Sequence, residues 1–178
     1  MKIKKIPSEI LTVKVKGHKK YKQKILDAID DLPFNNYHAA GIHDKNLAVS
    51  DWGLPKDYPR KYIDIYYKDV VPSPMEEIQK YYGAQGWTIT NSWYKTYNKN
   101  SYYPWHNHPN VNFSVVYFLE LPDSEFRTTV KIQDKIIEYE AKEGDLICFP
   151  AYLLHKAAEN KGGRKTVIVS NANIHYGE

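Results

Sequence analysis

The stretch Gly144-Asp145-Leu146-Ile147-Cys148-Phe149-Pro150-Ala151-Tyr152-Leu153-Leu154-His155 decides how the chain is to be read. A glycine turn opens an apolar run, Leu146 to Phe149, that is short and bounded in the manner of a buried strand. Pro150 ends the run, and the chain then delivers His155. Upstream, Trp105-His106-Asn107-His108-Pro109 carries two histidines two residues apart, and in an extended segment that spacing points both imidazoles to one face. Two neighbouring imidazoles and a distant one on another strand make three ligands on one side of a metal ion, with the opposite positions open for substrate and oxygen. Open positions suit catalysis, whereas structural metal sites are usually closed by four ligands. The plainer alternatives are a core histidine bonded to backbone for His155 and a loop residue held by Pro109 for His108.

The surroundings of these two elements are rich in strands. Trp87, Ile89, Trp93 and Tyr97 recur at even spacing among β-branched and aromatic residues, which predicts one face of a strand near 87–97. Further strands are expected near 112–120, 126–132, 135–141, 145–149 and 164–173, with Gln133-Asp134 and Glu143-Gly144 as turns. Short strands at this spacing form a sandwich or barrel, and a jelly roll is one way they close around a site.

The first half of the chain differs. Ile25, Leu26, Ile29 and Leu32 follow helical spacing over 19–31, and Pro33 stands just beyond as a stop. Ser73, Pro74 and Glu76 have the pattern of a helix cap, a first helical position and a capping box, which predicts a second helix ending near Gly83. Between them, 38–71 is rich in Asp, Pro, Gly and Tyr, with Asp51-Trp52-Gly53 and Pro55 to Pro59 reading as loops and turns, and the segment is expected to pack across the domain as a lid over its mouth. The expected organisation is a single domain over 1–178, with a helical and loop scaffold at 1–85 and a strand core at 86–178.

Composition narrows the function classes. The 178 residues are 42% hydrophobic and 26% charged, the balance of a globular protein. No uncharged apolar stretch approaches the roughly 18 residues of a membrane span. The lysine-rich start lacks the apolar segment of a signal peptide. The lone Cys148 lies in an apolar run, where a thiol acts as a small hydrophobe and no internal disulfide is available. These features predict a cytoplasmic protein without a membrane partner. The net charge of +4 comes from dispersed lysines rather than a dense basic block, so a nucleic-acid partner is not indicated.

Beyond His155, a glycine turn at Gly162-Gly163 leads into the last strand. Arg164 and Thr166 share one of its faces, and a guanidinium beside a hydroxyl matches a carboxylate. The chain has only three arginines, so one that opens a strand near the third histidine is a candidate anion anchor. The alternative is an ion pair at a strand end.

From about Asn91 to Asn171 the ordered set of these elements resembles the 2-oxoglutarate- and Fe(II)-dependent oxygenase superfamily, in particular a branch of small oxygenases of tailed phages and marine bacteria. The elements are Trp93 and Tyr97, then Trp105 to His108, Val115 to Pro122, Gly144 to His155, and Arg164 to Asn171. The resemblance implies a mainly β fold with flanking helices, a double-stranded β-helix of the jelly-roll, cupin-like kind. It implies Fe(II) on His106, His108 and His155. It implies 2-oxoglutarate held by Arg164 and Thr166 with Tyr97, Tyr103 and Tyr117 nearby, since prolyl hydroxylases are similar in carrying tyrosines at the first two positions. The implied partners are molecular oxygen and a substrate that the sequence does not name. The implied reaction releases succinate and carbon dioxide and hydroxylates the substrate, in the host cytoplasm if the chain is phage-encoded.

One departure stands out. The superfamily usually has Asp or Glu where this chain has His108, so the protein brings no negative charge to the metal; Asp51 or a water is the substitute ligand if His108 is not one. Two other readings stay open. A cupin-type metalloenzyme fits the spacing of Gly144, Pro150 and His155, although Asn112 or Phe113 and Glu159 stand where its glutamate and asparagine belong. A non-catalytic jelly-roll binding protein fits the strands alone.

Overall fold

The structure, a computed structural model, describes residues 9–33, 44, 46–122 and 128–177. Its elements in chain order are β1 (Leu11–Lys14), α1 (His18–Asp30), β2 (Val49–Ser50), α2 (Lys61–Ile65), a π-helical turn (Tyr66–Val70), α3 (Pro72–Tyr81), β3 (Gly86–Tyr97), β4 (Tyr103–His106), β5 (Phe113–Glu120), β6 (Thr128–Ile132), β7 (Lys135–Tyr139), β8 (Asp145–Pro150), β9 (Leu154–Ala157) and β10 (Lys165–His175). A six-stranded sheet has the order β1-β8-β5-β10-β3-β2, and a four-stranded sheet the order β4-β9-β6-β7. The ladders are antiparallel.

Side-chain alternation gives the larger sheet two apolar faces. On β5, β8 and β10, Val115, Tyr117, Leu119, Leu146, Cys148 and Ile168 join a core with helical residues such as Ile25, Tyr62, Tyr66, Met75 and Ile78. Their neighbours Val116, Phe118, Ile147, Phe149, Val167 and Val169 face the other way, toward Val130 and Leu153 of the smaller-sheet side. The layers are therefore helices, large sheet and small sheet, and the site lies between the sheets.

All six expected strands are present. Residues 126–127 of one of them lie outside the described residues. Four short strands were not legible: β1, β2, β4 and β9 have two to four residues each, too few to show a period. β1 and β2 pair with β8 and β3, so the larger sheet draws on both sides of the 85/86 division.

The even spacing in β3 is real but does not mark one face. The register of β3 on β10 shifts between Asn171↔Asn91 and Ala172↔Ile89, leaving Thr90 as an extra residue. Such a bulge inverts the alternation. Trp87 and Ile89 therefore pack on the helical core, whereas Trp93 and Tyr97 point between the sheets.

α1 matches its expected span to within one residue and buries Ile25, Leu26 and Ile29. α3 starts differently from expectation. Val71, itself helical, occupies its cap position with no side-chain hydrogen bond, and Ser73 lies inside the helix. The cause is that α2 and the π-helical turn run directly into α3, so its first N–H groups have helical acceptors upstream, as in Val71 N–H to Tyr66 O and Met75 N–H to Val71 O. Residues 61–70 of the expected lid, to which the sequence assigns no element, are helical, with Tyr62, Tyr66 and Val70 buried at helical spacing. Residues 38–43 and 45 of the expected lid lie outside the described residues. Among the described residues no helix is long and apolar enough to cross a membrane.

The turn before β8 requires glycine. Gly144 has φ 84°, its N–H donates to Phe118 O at 2.9 Å, and a Cβ there meets the His18 ring at 3.0 Å. Gly144→Ala is expected to destabilise the protein by about 1–2 kcal/mol, seen as a lower urea midpoint with unchanged slope.

Candidate metal centre

β4 and β9 lie side by side in the smaller sheet, with His106 directly opposite His155 in the register. The backbone then leaves β4, and the His108 N–H donates to Ala151 O at 2.9 Å, which ties this loop to the end of β8. As a result the three imidazoles meet: ring centroids are 4.2 Å apart for His106 and His155, 5.0 Å for His108 and His155, and 5.3 Å for His106 and His108. One ring nitrogen from each lies within 4.8 Å of the others.

Each ring is fixed from behind. Nδ1 of His106 faces Pro104 O at 2.9 Å, Nδ1 of His155 faces Leu153 O at 2.9 Å, and Nδ1 of His108 faces Asn171 Oδ1 at 2.6 Å. Because these partners are acceptors, each Nδ1 carries the proton and each Nε2 lone pair is left for a cation, the arrangement that metal-ligating histidines show. Trp93 packs on the His108 ring and Phe149 on that of His155. Burial pushes the His106 pKa down to about 2 and that of His155 to about 4, and lowers that of His108, so all three are neutral near pH 7. The donor set thus fits a divalent metal that accepts nitrogen ligands, including Fe(II). Asp51 is not available as a ligand: its carboxylate accepts from Arg60, from the Tyr62 hydroxyl at 2.6 Å and from the Tyr94 N–H.

Two cavities meet at the histidines. One, of ≈ 230 Å³, is lined by Trp52, Trp93, Lys95, Tyr103, His106, His108 and Asn171 among others. The second is smaller and is lined by Lys95, Tyr97, His106, Thr128, His155 and Lys165 among others.

Among structures already solved, the fold is similar to a 2-oxoglutarate–Fe(II) oxygenase family oxidoreductase from Burkholderia pseudomallei, with a TM-score of 0.69 and 14% identity over 94% of this chain and 85% of that one. It is similar to a prolyl hydroxylase of Trichoplax adhaerens in complex with a hypoxia inducible factor peptide, with a TM-score of 0.65 and 14% identity over 91% and 82%. It is also similar to HygX of Streptomyces hygroscopicus with nickel and 2-oxoglutarate bound, with a TM-score of 0.67 and 9% identity over 94% and 83%. The fold is that of the 2-oxoglutarate oxygenases. No family model matches the sequence, and no curated protein does.

Within that fold, the structure brings His106, His108, His155, Tyr97 and Tyr103 together and turns three other expected residues away. Arg164 lies on the helical side of the large sheet, where its Nε donates to Glu120 at 2.8 Å and its Nη1 to Asp30 at 2.9 Å. Thr166 follows the same parity and hydrogen-bonds Glu120 and Thr96. Tyr117 points to α1, its hydroxyl 2.7 Å from His18 Nδ1. These three therefore lie on the helical side of the large sheet, away from the histidines; for Arg164 and Thr166 the reason is alternation, since even-numbered residues of β10 face the helices.

The residue that sequence reasoning missed is Lys165, which faces inward with its ammonium over the rings of Tyr97 and Phe118. Burial lowers its pKa to about 7. Lys95 was missed as well; it lies between Trp93 and Tyr97 on the inward face of β3 with its ammonium over the Tyr103 ring, and burial lowers its pKa far below the usual lysine value. The inward series Trp93-Lys95-Tyr97 and Lys165-Val167-Val169-Asn171 carried the signal, because a lysine on an otherwise apolar face is costly to bury without a purpose.

Asn171 also went without a role, although it supplies the acceptor that orients His108. Asn171→Leu is expected to weaken binding of Fe(II) or Zn(II) by about 10–100-fold, measured by competition with a chromogenic chelator.

Proposed function

We propose that this protein is an Fe(II)- and 2-oxoglutarate-dependent oxygenase. The observation that carries the proposal is the convergence of three back-bonded, neutral imidazoles at the junction of two cavities, one of which is lined by the buried Lys165. When bound, Fe(II) and 2-oxoglutarate supply the chemistry: dioxygen is consumed, the cosubstrate is oxidatively decarboxylated to succinate and carbon dioxide, and a substrate C–H bond is oxidised, by default to an alcohol.

The chain's own residues have separate tasks in this scheme. His106, His108 and His155 hold the metal through Nε2 and leave its remaining positions toward the cavities. Lys165 takes the distal carboxylate of the cosubstrate, in place of the Arg164 and Thr166 pair expected from the sequence. Tyr97 walls the same cavity, and Thr128, on its small-sheet side, offers a hydroxyl. Phe149 and Val169 keep the passage apolar, which strengthens the ammonium–carboxylate attraction by excluding water. Tyr103 packs edge-on against His106, 4.6 Å between centroids, and separates the metal from bulk water on the β4 side.

The three-histidine set distinguishes the site electrically. Among the described residues no carboxylate joins the three histidines, so a dianionic cosubstrate would bring the main negative charge to the metal. The three histidines also suit a second reading, a cupin-type metalloenzyme that works without 2-oxoglutarate, although the glutamate of that pattern is missing.

One experiment separates the two. Anaerobic addition of Fe(II) and 2-oxoglutarate to the purified protein is expected to produce a visible charge-transfer band. Lys165→Met is expected to raise the 2-oxoglutarate concentration needed for half the band by roughly ten- to hundredfold, the worth of a charge-assisted hydrogen bond. Well-folded, iron-loaded protein that gives no band points to the cupin-type reading.

Two sets of variants complete the test. His106→Ala and His155→Ala are each expected to abolish succinate formation, measured by chromatography of the reaction mixture. Arg164→Gln is expected to leave the band in place and to change stability by less than about 1 kcal/mol, because its ion pairs are partly exposed.

A further inference from the structure

The larger cavity holds a cation that the oxygenase reaction itself does not employ. Lys95 is 6% exposed, and among the described residues no carboxylate pairs with it. Its one recorded contact of this kind is the Tyr103 ring, and burial alone accounts for its lowered pKa. Burying an ammonium costs several kcal/mol unless an anion or a hydrogen-bond network offsets it. Among the described residues, the lining of the ≈ 230 Å³ cavity includes no Asp, Glu or Arg, and its histidines are neutral, so Lys95 is its one charged side chain.

Position separates Lys95 from Lys165. In the β3–β10 ladder Lys165 lies opposite Tyr97, Lys95 opposite Val167, and Trp93 opposite Val169, with Asn171 of the metal end beyond. Lys95 is thus one inward position, about 7 Å, nearer the histidines than Lys165 of the smaller cavity. Its neighbours toward the opening are Trp93 and Trp52, whose rings meet edge to face at 4.5 Å, and Trp52 is 43% exposed at the rim.

Taken with the proposed oxygenase function, on which this inference rests, we infer that Lys95 is the anion-binding residue of the substrate cavity. The substrate class is a small organic anion, a carboxylate or a phosphate ester, whose charged group meets the Lys95 ammonium. Its flat or apolar body lies on Trp93 and Trp52, which places a carbon beside the metal. The lining of this cavity brings no carboxylate of its own among the described residues, so an anion there offsets the charge of the Lys95 ammonium. The cavity is small for a macromolecular segment and shaped for one compact molecule.

Tryptophan fluorescence of the Zn(II)- and 2-oxoglutarate-loaded protein tests this without turnover. The probes are phenylacetate against phenylacetamide, indole-3-carboxylate against its amide, and phenyl phosphate against phenol. At least one anion is expected to bind roughly ten- to hundredfold more tightly than its neutral counterpart; carboxylate or phosphate preference then names the source of the charge. Lys95→Met is expected to erase that preference, to keep the melting temperature equal or higher because an unpaired buried charge is removed, and to leave the 2-oxoglutarate titration of the Fe(II) band within about twofold.

Equal binding of anions and neutral counterparts across the set overturns the inference, as does an anion preference that survives Lys95→Met. A Lys95→Met protein that loses 2-oxoglutarate binding as Lys165→Met does also overturns it, by making Lys95 part of the cosubstrate site. Loss of the Fe(II) band in the unaltered protein instead defeats the oxygenase proposal, and the Zn(II) measurements report on Lys95 separately.

Discussion

The site depends on which face of β10 looks inward. This strand is bonded on both sides, to β3 and to β5, so it cannot rotate or slip by one residue without moving every side chain to the opposite face. Its odd-numbered residues supply the buried ammonium of Lys165, the apolar passage of Val167 and Val169, and the Asn171 amide that turns His108. Its even-numbered residues join the helices, through Thr166, Ile168 and the Ser170 hydroxyl, which lies 3.1 Å from the hydroxyl of Tyr66. One strand therefore fastens the scaffold and furnishes the pocket at the same time.

That division explains what could be read from the sequence and what could not. Long strands with strong periods, such as 86–97 and 113–120, were legible, and so were the three histidines, because ligand spacing and a glycine turn are local features. The inward parity of the last strand was not. Arg164 and Lys165 are adjacent, and only the pairing of the last strand with β3 and β5 shows which of them faces between the sheets. The Thr90 bulge escaped notice for a similar reason: an extra residue is visible only against a partner strand. The helical stripe of Tyr62, Tyr66 and Val70 was not legible, because aspartates and tyrosines disguise its period. Asn171 stood in the recognised pattern, but its task is defined by a residue 63 positions earlier.

The electrostatics of the centre reverse the usual economy of an interior. Most buried charges in folded proteins are matched, and Asp51 here follows that rule: burial raises its pKa, yet Arg60, Tyr62 and the Tyr94 N–H surround it. The interior between the sheets gathers three uncharged imidazoles beside Lys95 and Lys165, whose protonated forms burial disfavours. Such a region is poorly stable in isolation and well matched to anions, a division between stability and function that binding sites commonly show. The helical layer compensates, since its core with the outer face of the large sheet is continuous and apolar.

The pairing of β1 with β8 reaches further than its four residues suggest. Leu11 lies opposite Cys148, so the edge of the large sheet closes only when chain segments 137 positions apart have met (148 − 11 = 137). During synthesis, at about 5–20 residues per second, the first strand waits several seconds or more for its partner, and His106 waits for His155. Contacts of such long sequence separation form slowly. The metal pocket likewise waits on a non-local contact, the pairing of β4 with β9 that sets His106 opposite His155.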